Sequence, residues 1–184
     1  MLTFDPEIHV YKYDGQPTPS VTQALKLGGL IDDKWFDDIS RARGSAVHRA
    51  VFLHMQNDLD FDSLHPMIKP YVEGFLQFEK MTRFKPIMEL CEVSQFHPVH
   101  RYAGTPDIVG VLNGRHVLID IKTGASPTAR YQTAAYAEFP RIKIYQPDRF
   151  DLRLFPDGRP KLNQHKSPDD FTVFLAALTI AKIK

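Results

Sequence analysis

Cysteine is almost missing from this chain of 184 residues, which contains Cys91 alone. A single cysteine excludes an intrachain disulfide framework, a four-cysteine zinc site and a cysteine-ligated iron–sulfur cluster. The sequence also has no apolar run approaching the ~18 residues that a membrane-spanning helix needs. Repeats, low-complexity tracts and Ser/Gly-rich linkers are absent as well, so we expect one domain covering residues 1–184.

A large excess of charge of either sign is also missing, since the net charge is +1 and the pI is near 7.9. Composition alone therefore does not indicate a nucleic-acid partner, which has to be inferred from local chemistry. Two groups of basic residues stand out, although solvated helix faces often look the same: Arg41, Arg43 and Arg49, and then Arg130, Arg141 and Lys143. The N-terminal residues match neither a signal peptide nor a transit peptide, so we expect a cytoplasmic protein without membrane contact.

The first half of the chain is predicted to form one strand followed by three helices. Residues 8–13 alternate like a strand and end at the turn pair Asp14-Gly15. A short capped helix is predicted over residues 20–29. Apolar residues then recur at helical spacing from about 33 to 55 and from about 66 to 84, which predicts two amphipathic helices.

The second half is predicted to contain more strands than helices. Its segments are, in order, a strand over 87–99, a strand pair over 108–123, a helix over 126–139, strands over 142–146, 149–155 and 160–165, and a final helix from Ser167-Pro168. The fold class is therefore mixed α/β or α+β. A central mixed sheet with helices on its faces explains why the middle strands are apolar on both sides.

Asn113-Gly114 is the strongest local signal in the sequence, because this pair favours a two-residue type I′ hairpin turn. The turn sets Leu112 opposite Arg115. Counting outward from that pair puts Asp107 directly across from Asp120 on the neighbouring strand. Two carboxylates are therefore expected to face each other inside an otherwise apolar hairpin.

Lys122 is predicted on the same face as the two aspartates, because side chains alternate along a strand. Like charges on opposed residues, with Cβ atoms ~4.5–5.5 Å apart, destabilise a sheet, and one ammonium leaves an excess of negative charge. A divalent cation would balance that excess, and carboxylate ligands suit Mg²⁺ or Mn²⁺. The alternative is a bulge at Gly110, which would shift the pairing by one residue and put the carboxylates on opposite faces.

The same residues carry a family resemblance. Pro106-Asp107 followed by Asp120-Ile121-Lys122 resembles the signature of the PD-(D/E)XK nuclease superfamily, here as "TPD" and "DIK" on adjacent predicted strands. Upstream, "RGSAVHRA" resembles a helical motif of the RecB-like exonuclease branch, in which a histidine, here His48, reaches the metal. Downstream, "QTAAY" resembles the Gln-x-x-x-Tyr motif of that branch, here Gln132 and Tyr136.

The resemblance implies a restriction-endonuclease-like core and a metal site. His48, Asp107, Asp120 and the main-chain carbonyl of Ile121 would hold one or two Mg²⁺ or Mn²⁺ ions. Lys122 would orient the attacking water, and a neighbouring metal would make its ammonium lose a proton more easily. Members of the branch with an iron–sulfur cluster use four cysteines, so no such cluster is implied here.

Supporting roles are open to two interpretations each. Gln132 and Tyr136 share a helix face and would contact substrate or brace the site, but packing between helix and sheet explains the same spacing. His48 is equally consistent with an ordinary core or interface histidine whose hydrogen bonds are satisfied. The supporting candidates are Glu92, on the predicted preceding strand with Glu89 nearby, and Arg43.

The activity that the resemblance implies is a metal-dependent deoxyribonuclease, specifically an exonuclease acting on DNA ends in recombination, repair or replication. The segment "HVYKYDGQPTPSVTQAL", residues 9–25, is similar to the lead-in of phage-type members, which implies a bacterial or phage-infected host cell. Linear duplex or single-stranded DNA is the expected partner, together with a second copy of the chain or a recombination protein. The alternatives are a structure-selective or nicking endonuclease with the same residues, and a non-catalytic nucleic-acid-binding module.

Overall fold

The computed structural model describes residues 1–5, 8, 10–31 and 37–183. Within them lie six α-helices: α1 (Val21–Leu27), α2 (Asp38–Met55), α3 (Lys69–Thr82), α4 (Ala129–Ala137), α5 (Pro140–Lys143) and α6 (Asp170–Ile183). The same residues form ten strands: β1 (Leu2–Asp5), β2 (Val10–Tyr13), β3 (Gln16–Thr18), β4 (Lys85–Pro86), β5 (Gln95–His97), β6 (Tyr102–Gly104), β7 (Ile108–Leu112), β8 (Arg115–Lys122), β9 (Asp148–Leu154) and β10 (Pro160–His165). No helix in this part of the chain combines the length and apolar character needed to cross a membrane.

The central sheet has five strands in the order β10-β9-β8-β7-β4. Its neighbouring strands are antiparallel except β8 and β9, which are parallel and are connected through α4 and α5. Two small sheets, β1-β2-β3 and β5-β6, lie outside it. The fold is therefore mixed α/β with a central mixed sheet, as the sequence predicts.

Apolar side chains cover both faces of the central sheet. Ile108, Ile119 and Ile121 belong to the core that α2 and α3 complete. Val109 and Leu118 belong to the core formed with α1, α4 and α6. No more than 1% of any of these five residues is exposed, so truncating one to alanine is expected to cost about 2–5 kcal/mol of stability.

The hairpin of β7 and β8 has the predicted register, and its pairing is regular through Gly110 without a bulge. Asn113 and Gly114 have φ angles of 51° and 79°, the left-handed values that a type I′ turn requires. Because β7 begins at Ile108, Asp107 lies directly beyond the paired part of the strand. The turn therefore fixes the position from which Asp107 approaches β8.

Most predicted elements are confirmed with shifted ends. α1 follows Ser20, whose side chain forms a capping box with Gln23. The helix predicted over about 33–55 is confirmed as α2 over Asp38–Met55. Residues 33–36 of that prediction lie outside the described residues. α6 begins at Asp170, a little later than predicted.

Two predicted strands are wrong. Residues 87–99 form a 3₁₀ turn and only the short strand β5, because Leu90 is buried in one core and Cys91 in the other. Apolar and polar residues alternate in this segment as they would in a strand, but the segment forms a turn at the edge of the sheet. Residues 142–146 end α5 and continue as a turn, since Pro140 opens a helical turn just before them. β1 is not among the predicted strands.

Candidate functional site

Two adjoining cavities open beside the carboxyl end of β8. Their volumes are about 910 Å³ and about 550 Å³. Both are lined by Gly44 and His48 of α2, Lys122 of β8 and Gln132 of α4. The carboxyl ends of parallel strands are the usual ligand sites of α/β sheets. Three of the predicted motif residues, His48, Lys122 and Gln132, therefore face open space at this end of the sheet.

His48 connects α2 to the end of β8. Its Nε2 lies 3.0 Å from the main-chain oxygen of Ile121, and its Nδ1 lies 3.4 Å from Oδ1 of Asp107. Burial by itself would lower the pKa of His48, but the charge of Asp107 and the contact with it raise the pKa to about 9. The structure thus brings together His48 and the Ile121 carbonyl, both of which the sequence predicts as metal ligands.

Asp107 turns its carboxylate toward the backbone of β8. Its Oδ2 accepts a 2.7 Å hydrogen bond from the Ile121 N–H. Burial disfavours the charged carboxylate, but His48, Lys122 and the Ile121 N–H together outweigh burial and lower the pKa of Asp107. Asp107 is therefore ionised at neutral pH, held by the main chain on one side and by the imidazole on the other.

Asp120 is almost completely buried, and Lys122 Nζ lies 2.6 Å from its Oδ2. Apart from Lys122, no hydrogen-bond donor among the described residues reaches either carboxylate oxygen. Burial raises the pKa of Asp120 to about 6; Lys122 opposes this shift and Asp107 adds to it. Burial would lower the pKa of Lys122, but the two aspartates raise it. Without a bound metal, the Lys122 side chain is therefore protonated and positively charged at neutral pH.

A chain of hydrogen bonds runs from Lys122 to α4. Lys122 Nζ donates to Oε1 of Gln132 at 3.1 Å, and Gln132 Nε2 donates to Oη of Tyr136 at 3.2 Å. Burial raises the pKa of the Tyr136 phenol well above its ordinary value, so the ring stays neutral. Gly104 leaves room for that ring, because a Cβ there would lie 2.7 Å from Tyr136 Cε1.

Glu92 reaches the site from a turn and not from the strand that the sequence predicts. Its backbone is left-handed with φ of 52°, and its N–H donates to the Pro106 carbonyl at 2.9 Å. That conformation costs roughly 1–2 kcal/mol for a residue other than glycine, and such strain clusters at functional sites. Burial, reinforced by the charge of Asp107, raises the pKa of Glu92 to about 8.

The side chains of this site fit a divalent cation. Donor atoms of His48, Glu92 and Asp107 all lie within 4.8 Å of one another. Carboxylate oxygens with one imidazole nitrogen suit Mg²⁺ or Mn²⁺. Asp120, which is paired with Lys122, is close enough to raise the pKa of both His48 and Glu92. This cluster differs from the predicted ligand set, because Glu92 joins it directly and Asp120 lies beside it.

Arg43, predicted to support substrate binding, lines neither cavity. Its guanidinium carbon lies 5.6 Å from the centre of the Tyr71 ring, between α2 and α3. Arg41 and Arg49 line the larger cavity instead. Two residues along an α-helix rotate a side chain by about 200°, which separates Arg43 from Arg41.

Sequence reasoning did not single out a group of hydroxyls that adjoins the larger cavity. Tyr11 Oη lies 2.7 Å from Oγ1 of Thr105, and Ser94 Oγ lies 2.9 Å from the same atom. Tyr11 and Thr105 line the cavity. These residues come from distant parts of the chain, so no local sequence pattern connects them.

No protein-family model matches this chain, and no curated protein shows significant similarity to it. Function is therefore inferred from the side chains and their geometry. The nuclease resemblance of the two motifs stays a prediction.

Proposed function

We propose that this protein is a divalent-metal-dependent nuclease that hydrolyses DNA phosphodiester bonds, working from DNA ends. The observation that carries the proposal is the meeting of Asp107, Asp120 and Lys122 with His48 and Glu92 at one cavity. A surface that only binds DNA gains nothing from buried carboxylates that repel one another, whereas metal-assisted catalysis requires them. The proposal includes a restriction-endonuclease-like core and a cytoplasmic place of action in a bacterial or phage-infected cell.

The roles of the residues follow from their contacts. His48, Glu92 and Asp107 would hold the cation, with Asp120 and the Ile121 carbonyl beside it. A bound Mg²⁺ or Mn²⁺ supplies a Lewis acid and a water of lowered pKa.

Lys122 would orient the attacking water and stabilise the negative charge that develops on the phosphoryl oxygens. Gln132 holds the ammonium in place, and Tyr136 in turn holds the Gln132 amide. Arg41 and Arg49 give the cavity positive charge for substrate phosphates. Affinity is therefore expected to depend steeply on salt and little on base sequence.

Degradation of end-labelled linear DNA tests the proposal. Purified protein should shorten linear duplex or single strands with Mg²⁺ or Mn²⁺, stop in EDTA and spare covalently closed circles. Asp120→Asn and Lys122→Met should be inactive, whereas Glu89→Gln, an exposed acid near the site, should keep full activity.

Each other outcome is informative. Cleavage of closed circles would show an endonuclease with the same residues. Intact linear DNA with either metal, in a protein that still binds DNA, would contradict the nuclease and favour a binding module. Activity that persists in both Asp120→Asn and Lys122→Met would exclude this site.

A further inference from the structure

Three cations lie side by side on the face of the central sheet that carries Asp120. Lys122 of β8 is paired with Arg153 of β9, and Arg153 is paired with Lys161 of β10. Paired residues on adjacent strands point to the same face, and strands lie about 4.8 Å apart. The three residues, called the cation row below, therefore extend over roughly 10 Å from the candidate metal site to the edge strand.

Asp120 and Asp151 lie beside the cation row, but of its three members only Lys122 has an ion-pair partner, Asp120, among the described residues. Asp151, paired with Asp120, has one carboxylate oxygen 2.8 Å from Asn163 Nδ2 and the other 2.8 Å from His165 Nε2. Across the described ranges of the chain, neither Arg153 nor Lys161 forms an ion pair within 4.0 Å. The Nε of Arg153 is buried, and no hydrogen-bond acceptor among the described residues reaches it.

Binding of an anion would stabilise this arrangement. Like charges on paired strands destabilise a sheet, and a buried donor without an acceptor adds to that cost. A nucleic-acid strand carries one phosphate charge on every nucleotide, so a strand that runs along this row brings consecutive phosphates to its cations. Exposure also changes along the row: the Lys122 side chain is 19% exposed, Arg153 is half-buried and Lys161 is exposed.

We propose that the cation row is a phosphate track, along which the backbone of one DNA strand runs between the candidate metal site and the edge of the sheet at β10. The inference rests on the proposed function, because Lys122 is shared by the track and the reaction. Arg153 and Lys161 would contact phosphates only, and therefore carry no base specificity.

Binding in EDTA tests the track without requiring catalysis. Affinity for a short fluorescein-labelled single strand is measured by anisotropy over a range of salt concentrations. Arg153→Gln and Lys161→Gln, combined, should weaken binding at low salt and reduce the slope of log K against log salt by about 0.7 per lost contact. Arg153→Lys should keep most of the slope. Lys80→Gln, an exposed residue of α3, is the matched control and should bind as the wild type does.

The outcomes separate the two proposals. A double variant with unchanged affinity and slope would overturn the track, even where the wild-type protein degrades DNA. Reduced binding in the double variant, with no wild-type degradation under any metal, would support the track and contradict the nuclease. Thermal melting checks the fold of each variant. Should Arg153→Gln fail to fold, Lys161→Gln alone decides, because Lys161 is exposed and an unchanged slope there would overturn the track.

Discussion

The ammonium nitrogen of Lys122 lies 2.6 Å from Oδ2 of Asp120, a buried carboxylate that no other hydrogen-bond donor among the described residues reaches. The two side chains therefore neutralise each other in a buried place, while Oδ1 of Asp120 stays available to a further cation. Removing one partner of a buried ion pair leaves an uncompensated charge, which destabilises more than the pair itself stabilises. Metal binding and the state of Lys122 are thus expected to be coupled.

Lys122→Met should lower kcat by ~10²–10⁴, because it removes the group proposed to orient water and stabilise developing charge. The variant should also melt at a lower temperature in EDTA, since Asp120 loses its counter-ion, and Mn²⁺ should restore much of that loss. Activity on labelled DNA and thermal melting measure the two effects. Lys85→Met, an exposed residue on β4, should change neither. Wild-type kcat in Lys122→Met would contradict the assigned role.

Gln132→Ala and Tyr136→Phe test the hydrogen-bond chain that holds Lys122. The bond from the Lys122 ammonium to Gln132 involves a charge and contributes about 1.5–3 kcal/mol, so Gln132→Ala should lower kcat by about tenfold to a hundredfold. The bond between Gln132 and Tyr136 is neutral and contributes about 0.5–1.5 kcal/mol, so Tyr136→Phe should lower kcat by at most about tenfold. The double variant should lose less than the product of the single losses, because both act through the same ammonium. Gln77→Ala, on the exposed side of α3, is the control. Fully independent effects would show that the two residues do not act as a chain.

Glu92→Gln should weaken Mn²⁺ binding by at least about tenfold, because it removes one carboxylate from the His48–Glu92–Asp107 cluster. Above about pH 8 the same change should also raise the melting temperature in EDTA, because Glu92 is ionised there and repels Asp107, whereas glutamine stays neutral. Calorimetric titration and thermal melting give the two readouts. Glu89→Gln is the matched control, and equal metal affinity in both variants would remove Glu92 from the site.

The metal-free protein should lose stability as the pH rises through 8 and then 9. The pKa of Glu92 is raised from 4.5 to about 8, and that of His48 from 6.5 to about 9. In both cases the folded state holds the proton more tightly, so the stabilisation is complete below the unfolded pKa and disappears above the folded one. Asp107 has a lowered pKa and therefore acts only on acidification, below 3.8.

Melting in EDTA across this pH range measures the effect, and saturating Mn²⁺ should reduce it because the metal replaces the protons. The Glu92→Gln variant should retain only the His48 part. A melting temperature that rises between pH 7 and 9 in EDTA would contradict the proton linkage, as all the cited shifts in that range have one sign.

Two glycines near the site should respond differently to alanine. At Gly104 a Cβ would lie 2.7 Å from the Tyr136 ring and 3.2 Å from Val21, so Gly104→Ala should displace Tyr136 and destabilise the protein. At Gly44 the nearest atom is Thr123 Oγ1 at 3.7 Å, so Gly44→Ala should fit and raise helix stability by up to about 1 kcal/mol. Chemical denaturation measures the free energy of unfolding of both variants. Equal losses of stability would contradict the difference in packing at the two positions.

The sequence predicts those parts of the site whose positions are determined by a short local motif. The Asn113-Gly114 turn determines the hairpin register, and the register determines where Asp107 and Asp120 meet. Glu92 could not be placed in this way, because its left-handed turn contains no glycine and its apolar neighbours alternate like a strand. The sequence also does not distinguish the positions of Arg41 and Arg43, because α2 carries polar residues around much of its surface and no apolar stripe marks the face that meets the sheet.

The contact between His48 and the Ile121 carbonyl joins residues 73 positions apart, and Gln132 and Tyr136 complete the site later still. Contacts at such separation form only after the intervening chain is available to close the loop. A ribosome that has translated α2 but not α4 therefore carries a chain in which the candidate site is not yet assembled. For the nuclease proposed above, this order of assembly would prevent DNA cleavage by unfinished polypeptides.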